Sequence, residues 1–207
     1  MIEKNHITSS CSISNGTVNK NGSKVYENQG IDLSGFLLSI YQHFHFNYPK
    51  FYKMDNLSKL GWLAAEILLK DGFKKDNYQP EEIGIVLANS NSSLDNDLKY
   101  ADTIKEFPSP AVFVYTLPNI VIGEICIRHK FKGEHAFFIQ DAFDTAFIAQ
   151  QVNYLLDSDI LQACICGWVE VLEQDYQAVL FLVEKKKTGQ AIQFSVEKMN
   201  GIFADKI

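Results

Sequence analysis

Four cysteines are the first candidates for chemistry in this sequence, since a thiolate can act as a nucleophile, a redox centre or a metal ligand. Cys11, Cys126, Cys164 and Cys166 each lie in or beside apolar sequence and lack the spacing of a disulfide framework or a zinc site. Cys164 and Cys166 would share one face of a strand, a geometry that rarely permits a disulfide. We therefore interpret these cysteines as reduced core residues.

His43 and His45 form a His-x-His pair that could hold a metal ion if both rings pointed to one face of a strand. No third ligand is evident nearby, and many of the surrounding residues are aromatic. An aromatic packing cluster, or part of a partner surface, is therefore the favoured interpretation. We predict no metal site in this chain.

Three serines follow an apolar run and raise the possibility of a hydrolase nucleophile. Ser90, Ser92 and Ser93 lack the surrounding Gly-x-Ser-x-Gly sequence, and no acid and histidine can be assigned to them. We interpret them as loop and helix-cap residues.

Composition limits the possible class of protein. The chain has 207 residues, of which 46% are hydrophobic and 21% charged, so one compact domain over residues 1–207 is expected. A net charge of -6 with Arg128 as the single arginine argues against a nucleic-acid partner. The first residues do not resemble a signal peptide, and no apolar stretch is long enough for a spanning helix. We expect a soluble, cytoplasmic protein.

Hydrophobic periodicity predicts alternating strands and helices with a mixed sheet. Residues 14–35 are polar and rich in glycine and asparagine, which predicts a loop. Helices are predicted over residues 56–72, 109–129 and 142–156. Strands are predicted over residues 6–13, 83–88, 136–140, 160–167, 177–184 and 191–196. A turn at residues 187–189 would join the last two strands as a hairpin.

Three segments together resemble the amino-terminal half of β-ketoacyl synthases: residues 51–55, 118–124 and 133–170. In those enzymes a Gly-Pro opens a strand that ends in the nucleophilic cysteine. A helix follows, and the next strand closes in a Gly-Gly-x-Glu motif. Here Gly133-Glu134 starts the same unit and Gly167-Trp168-Val169-Glu170 ends it without insertion or deletion. The resemblance extends over residues 10–184.

The resemblance places the nucleophile position at Ala142, whose methyl group cannot form a thioester. The family holds its cysteine at a strand-to-helix turn, where the helix amino terminus favours the thiolate. In this sequence the turn carries Asp141 and Asp144, spaced like an N-cap and its third-position partner. Their negative charges would oppose a thiolate at that position.

The resemblance implies a thiolase-like α/β fold made of a single amino-terminal half, with a mixed five-stranded sheet flanked by helices. The family's catalytic histidines and lysine come from a second, carboxy-terminal half, and we expect that half to be absent here. Residues 115–119 with Gly123-Glu124 look most like small ketosynthase-related proteins of aryl polyene or flexirubin-type gene clusters. A single half would leave an apolar face exposed, so dimerisation is expected.

The resemblance also suggests where ligands would bind. Asn119, Glu124 and Phe143 would line a residual substrate pocket, although structural roles explain the first two equally well. A basic patch of Arg128, Lys130 and Lys132 could dock an acidic acyl carrier protein, or could simply be a solvated helix end. No cofactor is implied.

Three functions follow as hypotheses. The first is a non-catalytic ketosynthase-like subunit that pairs with itself or with a full-length ketosynthase and helps to bind the acyl chain or its carrier protein. The second is an active 3-oxoacyl-acyl carrier protein synthase or acyltransferase, completed by a partner chain or using Cys126 as its nucleophile. The third is a solitary acyl-binding module.

Overall fold

The computed structural model describes residues 5–186 and 191–204. Within these residues, the strands are β1 His6–Ser14, β2 Thr17–Lys20, β3 Ser23–Glu27, β4 Ile83–Asn89, β5 His135–Ile139, β6 Ala163–Leu172, β7 Asp175–Glu184 and β8 Ile192–Gln193. The α-helices are α1 Leu33–His43, α2 Asn56–Leu69, α3 Leu94–Ile104, α4 Pro110–Phe113, α5 Ile120–His129, α6 Thr145–Asp157 and α7 Val196–Ala204.

One mixed sheet runs through the molecule in the order β3-β2-β1-β7-β6-β4-β5, and β8 pairs with β1. Strand β4 pairs in parallel with β5 and with β6, whereas β7 is antiparallel to both β6 and β1. The carboxyl ends of β1, β4, β5 and β6 therefore lie at one edge of the sheet, which we call the carboxyl edge. The opposite edge is the amino edge.

Helices cover both faces of the sheet. Alternate residues of β4 point to opposite faces, so Ile85 and Leu87 join a core with α1, α2 and α5. Val86 and Ala88 join a second core with α6 and α7. All seven residues of β4 are buried, as expected for a strand that is covered on both faces.

The predicted α/β class with a mixed sheet flanked by helices is confirmed, and so is the order strand, helix, strand over residues 133–170. The helix predicted from residue 56 begins at Asn56, where Asp55 accepts the backbone N–H of Ser58 at 3.0 Å. The predicted number of five strands is wrong, because the described residues form an eight-stranded sheet.

Two other predictions need correction. The predicted loop over residues 14–35 contains β2, β3 and the start of α1. The predicted hairpin at the end of the chain is wrong, because β8 pairs with β1 rather than with β7 and Val196 already begins α7. The turn predicted at residues 187–189 lies outside the described residues.

Candidate functional site

The turn between β5 and α6 lies at the carboxyl edge and carries Ala142, whose side chain is exposed. Asp144 is the N-cap of α6, since its Oδ1 accepts the backbone N–H of Phe147 at 2.9 Å. The cap is thus Asp144 and not Asp141, which lies exposed in the turn before the helix. Helix α6 begins after Ala142, at Thr145.

Packing against α7 holds this turn in place. The half-buried Phe143 ring lies 5.7 Å from the Trp168 ring and 5.0 Å from the Phe203 ring, measured between centroids. The Thr145 hydroxyl donates a hydrogen bond of 2.7 Å to Oδ1 of Asn200. Phe143, predicted to bind substrate, is therefore a packing residue of the second core in this structure.

Glu170, near the end of β6, braces the loop that follows β4. Its Oε2 accepts hydrogen bonds from the Ser90 backbone N–H and hydroxyl, both at 2.6 Å, and from the Asn91 backbone N–H at 3.3 Å. The buried Asn89 side chain closes the same loop by bonding both the N–H and the carbonyl oxygen of Ser92. The Ser90 hydroxyl thus donates a hydrogen bond to a structural carboxylate, which agrees with its interpretation as a loop residue.

Glu124 lies on α5 in a buried polar cluster. Its Oε1 lies 2.9 Å from Lys50 Nζ and accepts a hydrogen bond of 3.2 Å from the Tyr115 hydroxyl. Burial, together with the negative charge of Glu124, raises the pKa of Tyr115. Glu124 therefore serves as an internal counter-ion.

The structure does not bring the three predicted substrate-binding residues together. Asn119 is exposed just before α5 and makes no capping hydrogen bond with its side chain. Glu124 lies on the face of the sheet where α5 packs against α2, whereas Phe143 packs into the core on the opposite face. A single pocket lined by all three residues is therefore not formed.

Comparison with known proteins gives a match at the level of the fold. No protein family profile matches the sequence, and no curated protein is significantly similar to it. The structure of the ishigamide ketosynthase/chain length factor superposes with a TM-score of 0.64 at 16% identity, over 90% of this chain and 63% of that one. A type II polyketide ketosynthase in complex with its acyl-carrier protein gives a TM-score of 0.60 at 17% identity, over 88% and 62% of the two chains. A ketosynthase in complex with its chain length factor from Xenorhabdus doucetiae gives a TM-score of 0.56 at 14% identity, over 88% of this chain and 79% of that one.

The chain has the thiolase-type fold of the ketosynthases. At these identities the likeness shows the fold alone, and the chain spans less than two thirds of the length of the first two structures. In this ketosynthase-like fold, residues 133–170 form β5, α6 and β6, which is the order of strand, helix and strand that the resemblance in sequence implies. The methyl side chain of Ala142 itself offers no nucleophile.

The four cysteine thiols of the ketosynthase-like chain are poorly suited to nucleophilic chemistry. Burial raises the pKa of Cys11 and of Cys164 to about 12, and raises that of Cys166 as well. Cys126 is half-buried on α5, and burial raises its pKa to about 11. A thiol with such a pKa carries little thiolate near neutral pH.

The predicted basic patch is only partly available to a partner. Arg128 donates to Glu66 at 3.1 and 3.4 Å, and its guanidinium lies 5.3 Å from the centre of the Tyr48 ring. Lys130 is exposed at the end of α5, and the exposed Lys132 lies 3.4 Å from a carboxylate oxygen of Glu81. Arg128 thus stabilises the fold, and docking by the two lysines stays a prediction.

His43 is the last residue of α1 and His45 lies just beyond it, so the two histidines are not on a strand. The His43 ring packs 4.4 Å from Tyr26 and 5.0 Å from Phe44, whereas His45 is exposed with a φ of 55°. Among residues 5–186 and 191–204, no three histidine, cysteine or acidic side chains are grouped so that they could hold a metal ion.

In the described part of the chain, no single helix is long and apolar enough to cross a membrane. The bent pair formed by residues 110–116 and 120–129 meets the length and composition only when both parts are taken together.

Proposed function

We propose that this protein is a non-catalytic ketosynthase-like subunit in fatty acid- or polyketide-type biosynthesis, which works in the cytoplasm by pairing with an active ketosynthase. The observation that carries the proposal is the unprotected outer edge of β5. Among the described residues, β5 pairs only with β4, so its other edge presents free backbone donors and acceptors.

An edge strand of this kind favours pairing with another chain. Natural edge strands are usually blunted by lysine, proline or a bulge. Strand β5 reads His-Ala-Phe-Phe-Ile and has none of these features. Ile139, at its carboxyl end beside the Ala142 turn, is 52% exposed.

Apolar side chains are also exposed in the segment that follows β4 at the carboxyl edge. Its exposed side chains lie on α3 and α4, between them, and on or just after the short 3-10 helix Val114–Thr116: Leu94, Leu98, Ile104, Phe107, Phe113, Val114 and Leu117. Two hydrogen bonds hold this segment together, from Asn96 to the Val112 carbonyl at 2.9 Å and from Ser93 to the Thr116 carbonyl at 2.8 Å. A fixed surface with so many apolar groups is typical of a protein interface.

The neighbours in fold support a ketosynthase as the partner, because two of them are ketosynthases described with a chain length factor. Ala142 supports the non-catalytic role, since the position that resembles the nucleophile has no reactive atom. Residues 115–119 with Gly123-Glu124 support the narrower assignment to an aryl polyene-type pathway. We extend the proposal to carrier-protein docking at Lys130 and Lys132, which are both exposed.

Pairing can be tested by co-purification and by sedimentation. The full chain is expressed with an active ketosynthase from its native host, as wild type and as Ile139→Lys, which places a charge at the edge of β5. We expect a complex with the wild type and its loss in the variant. Ile127→Lys is the control, because Ile127 is also exposed but lies on α5. A wild-type chain that stays monomeric beside the ketosynthase would contradict the proposal, and self-association without the ketosynthase would replace it with a homodimer.

The non-catalytic role needs a separate measurement. The purified chain, alone and with the ketosynthase, is incubated with an acyl carrier protein thioester, and its intact mass is recorded. We expect no acyl adduct on this chain. An adduct on Cys126 would instead support the active enzyme as the function.

A further inference from the structure

A shallow groove of about 340 Å³ lies at the amino edge, opposite the Ala142 turn, where α2 and α5 end. Its volume is within the range of small-molecule sites. Phenylalanine rings form its walls. Phe44 and Phe46 stack with centroids 5.7 Å apart, and Phe73 meets Phe131 edge to face at 6.1 Å. Phe131 is buried, whereas the other three rings are half-buried and leave part of their surface to the groove.

Besides His129, the charged side chains that line this groove are two lysines and one glutamate, although the whole chain carries -6. Among the described residues that line it, Glu66 is the single carboxylate. Burial opposes its ionisation, but hydrogen bonds and charges from His129 and Arg128 outweigh burial and lower the pKa of Glu66. The negative charge of Glu66 is therefore already neutralised inside the protein.

Two lysines of the groove have no such counter-ion. No carboxylate of residues 5–186 or 191–204 lies within 4 Å of the ammonium group of Lys70 or of Lys75, both of which line the groove. Lys70 Nζ instead lies 5.1 Å from the centre of the Phe44 ring. The groove thus combines an aromatic lining with two ammonium groups that lack an anion.

We propose that this groove binds a small amphipathic carboxylate, with an aromatic body between the phenylalanine rings and the carboxylate beside Lys70 and Lys75. Ring edges and faces of the four phenylalanines suit a flat apolar group, and the carboxylate supplies the charge that the lysines lack. A larger cavity of about 810 Å³ adjoins at Lys70 and Phe73 and gives a longer ligand room to extend. This site is independent of the proposed pairing through β5.

The test compares two ligands that differ only in charge. Calorimetric titration of the full chain with 3-phenylpropionate and with its neutral amide measures how much the carboxylate contributes. We expect the carboxylate to bind about tenfold more tightly, as two half-exposed charge contacts imply. Equal affinities, or no binding of 3-phenylpropionate at millimolar concentration, would overturn the proposal.

Variants then locate the site. The double variant Lys70→Gln with Lys75→Gln removes both charges, so we expect the preference for the carboxylate over the amide to disappear. Lys53→Gln with Lys105→Gln is the matched control, since both lysines are exposed and neither lines the groove. A carboxylate preference that survives in the first double variant, or that is lost in the control, would place the anion elsewhere and refute the site.

Discussion

A cysteine placed at position 142 would show how the two neighbouring carboxylates affect the pKa of a thiol in this turn. A cysteine at this position would lie between Asp141 and Asp144 and ahead of the first turn of α6, which begins at Thr145. Helix amino termini lower thiol pKa values only when the thiol lies at the first turn, and nearby carboxylates raise them. For Ala142→Cys we therefore expect an exposed thiol with a pKa at or above about 8.5, the ordinary value. The rate of iodoacetamide labelling against pH, followed by intact mass, measures it.

The wild-type chain supplies the baseline for that measurement, because its own thiols are buried or half-buried. We expect one additional adduct in Ala142→Cys under native conditions. A thiol pKa below about 7 would contradict the argument, because it would mean that the turn still favours a thiolate.

Gly167 is required by its backbone conformation and by its surroundings. Its φ is 148°, and a Cβ atom there would overlap the carbonyl oxygen of Val179 in the neighbouring strand. We expect Gly167→Ala to lower the free energy of unfolding by about 3 kcal/mol, from overpacking and backbone strain. Urea denaturation measures the change. Gly123→Ala is the control, since nothing lies within 4 Å of its added Cβ, and it should gain roughly 0.5–1 kcal/mol.

Helices α2 and α5 are joined by the ion pair of Glu66 with Arg128 and by a 2.8 Å contact between Glu66 Oε1 and His129 Nε2. The folded pKa of Glu66 is lowered, so its stabilising effect is present above the unfolded value and is lost as pH falls through the folded pKa. We expect Glu66→Gln to cost about 1–2 kcal/mol at pH 7, as for a hydrogen-bonded charged group. The difference from the wild type should shrink at pH values below about 4. Urea denaturation at several pH values checks this, and a difference that is constant with pH would contradict it.

Elements with strong periodicity could be predicted from the sequence. Helix α2 carries apolar residues at helical spacing, and β4 is a short apolar run after a proline, so both were located to within a few residues. The β1–β2 and β2–β3 turns were missed although Asn15-Gly16 and Asn21-Gly22, all with positive φ, are the usual signal of tight hairpins. The polar sequences of β2, between the two turns, and of β3, after the second, hid that signal, because neither strand shows a clear apolar pattern.

The order of the elements that form the candidate site could be predicted from the sequence, but the contacts between residues that are distant in sequence could not. The turn at Ala142 followed from the alternation of strand and helix over residues 133–170. The bonds from Ser90 and Asn91 to Glu170 could not be foreseen, because the parallel pairing of β4 with β6 brings together residues that are distant in sequence. The separation of Glu124 from Phe143 depends likewise on which face of the sheet each helix covers.

For the whole molecule, the two edges of the sheet differ in character. The carboxyl edge holds exposed apolar side chains and the end of β5, whose outer side is unpaired along the strand, whereas the amino edge holds the aromatic groove with Lys70 and Lys75. An exposed apolar surface is typical of a protein interface, and a concave site with aromatic walls and a few polar groups is typical of a small ligand. The two surfaces can therefore be occupied at the same time.

Pairing at the carboxyl edge should appear as thermal stability. A partner that binds only the folded chain stabilises it by about 2.7 kcal/mol at a free concentration of 100 times its Kd. For a chain of 207 residues this corresponds to an increase in Tm of roughly 5–10 °C. Differential scanning fluorimetry with an excess of the ketosynthase measures the increase, with each protein alone as reference. We expect Ile139→Lys to abolish the increase while Ile127→Lys retains it. An equal increase in both variants would show that the partner binds away from β5.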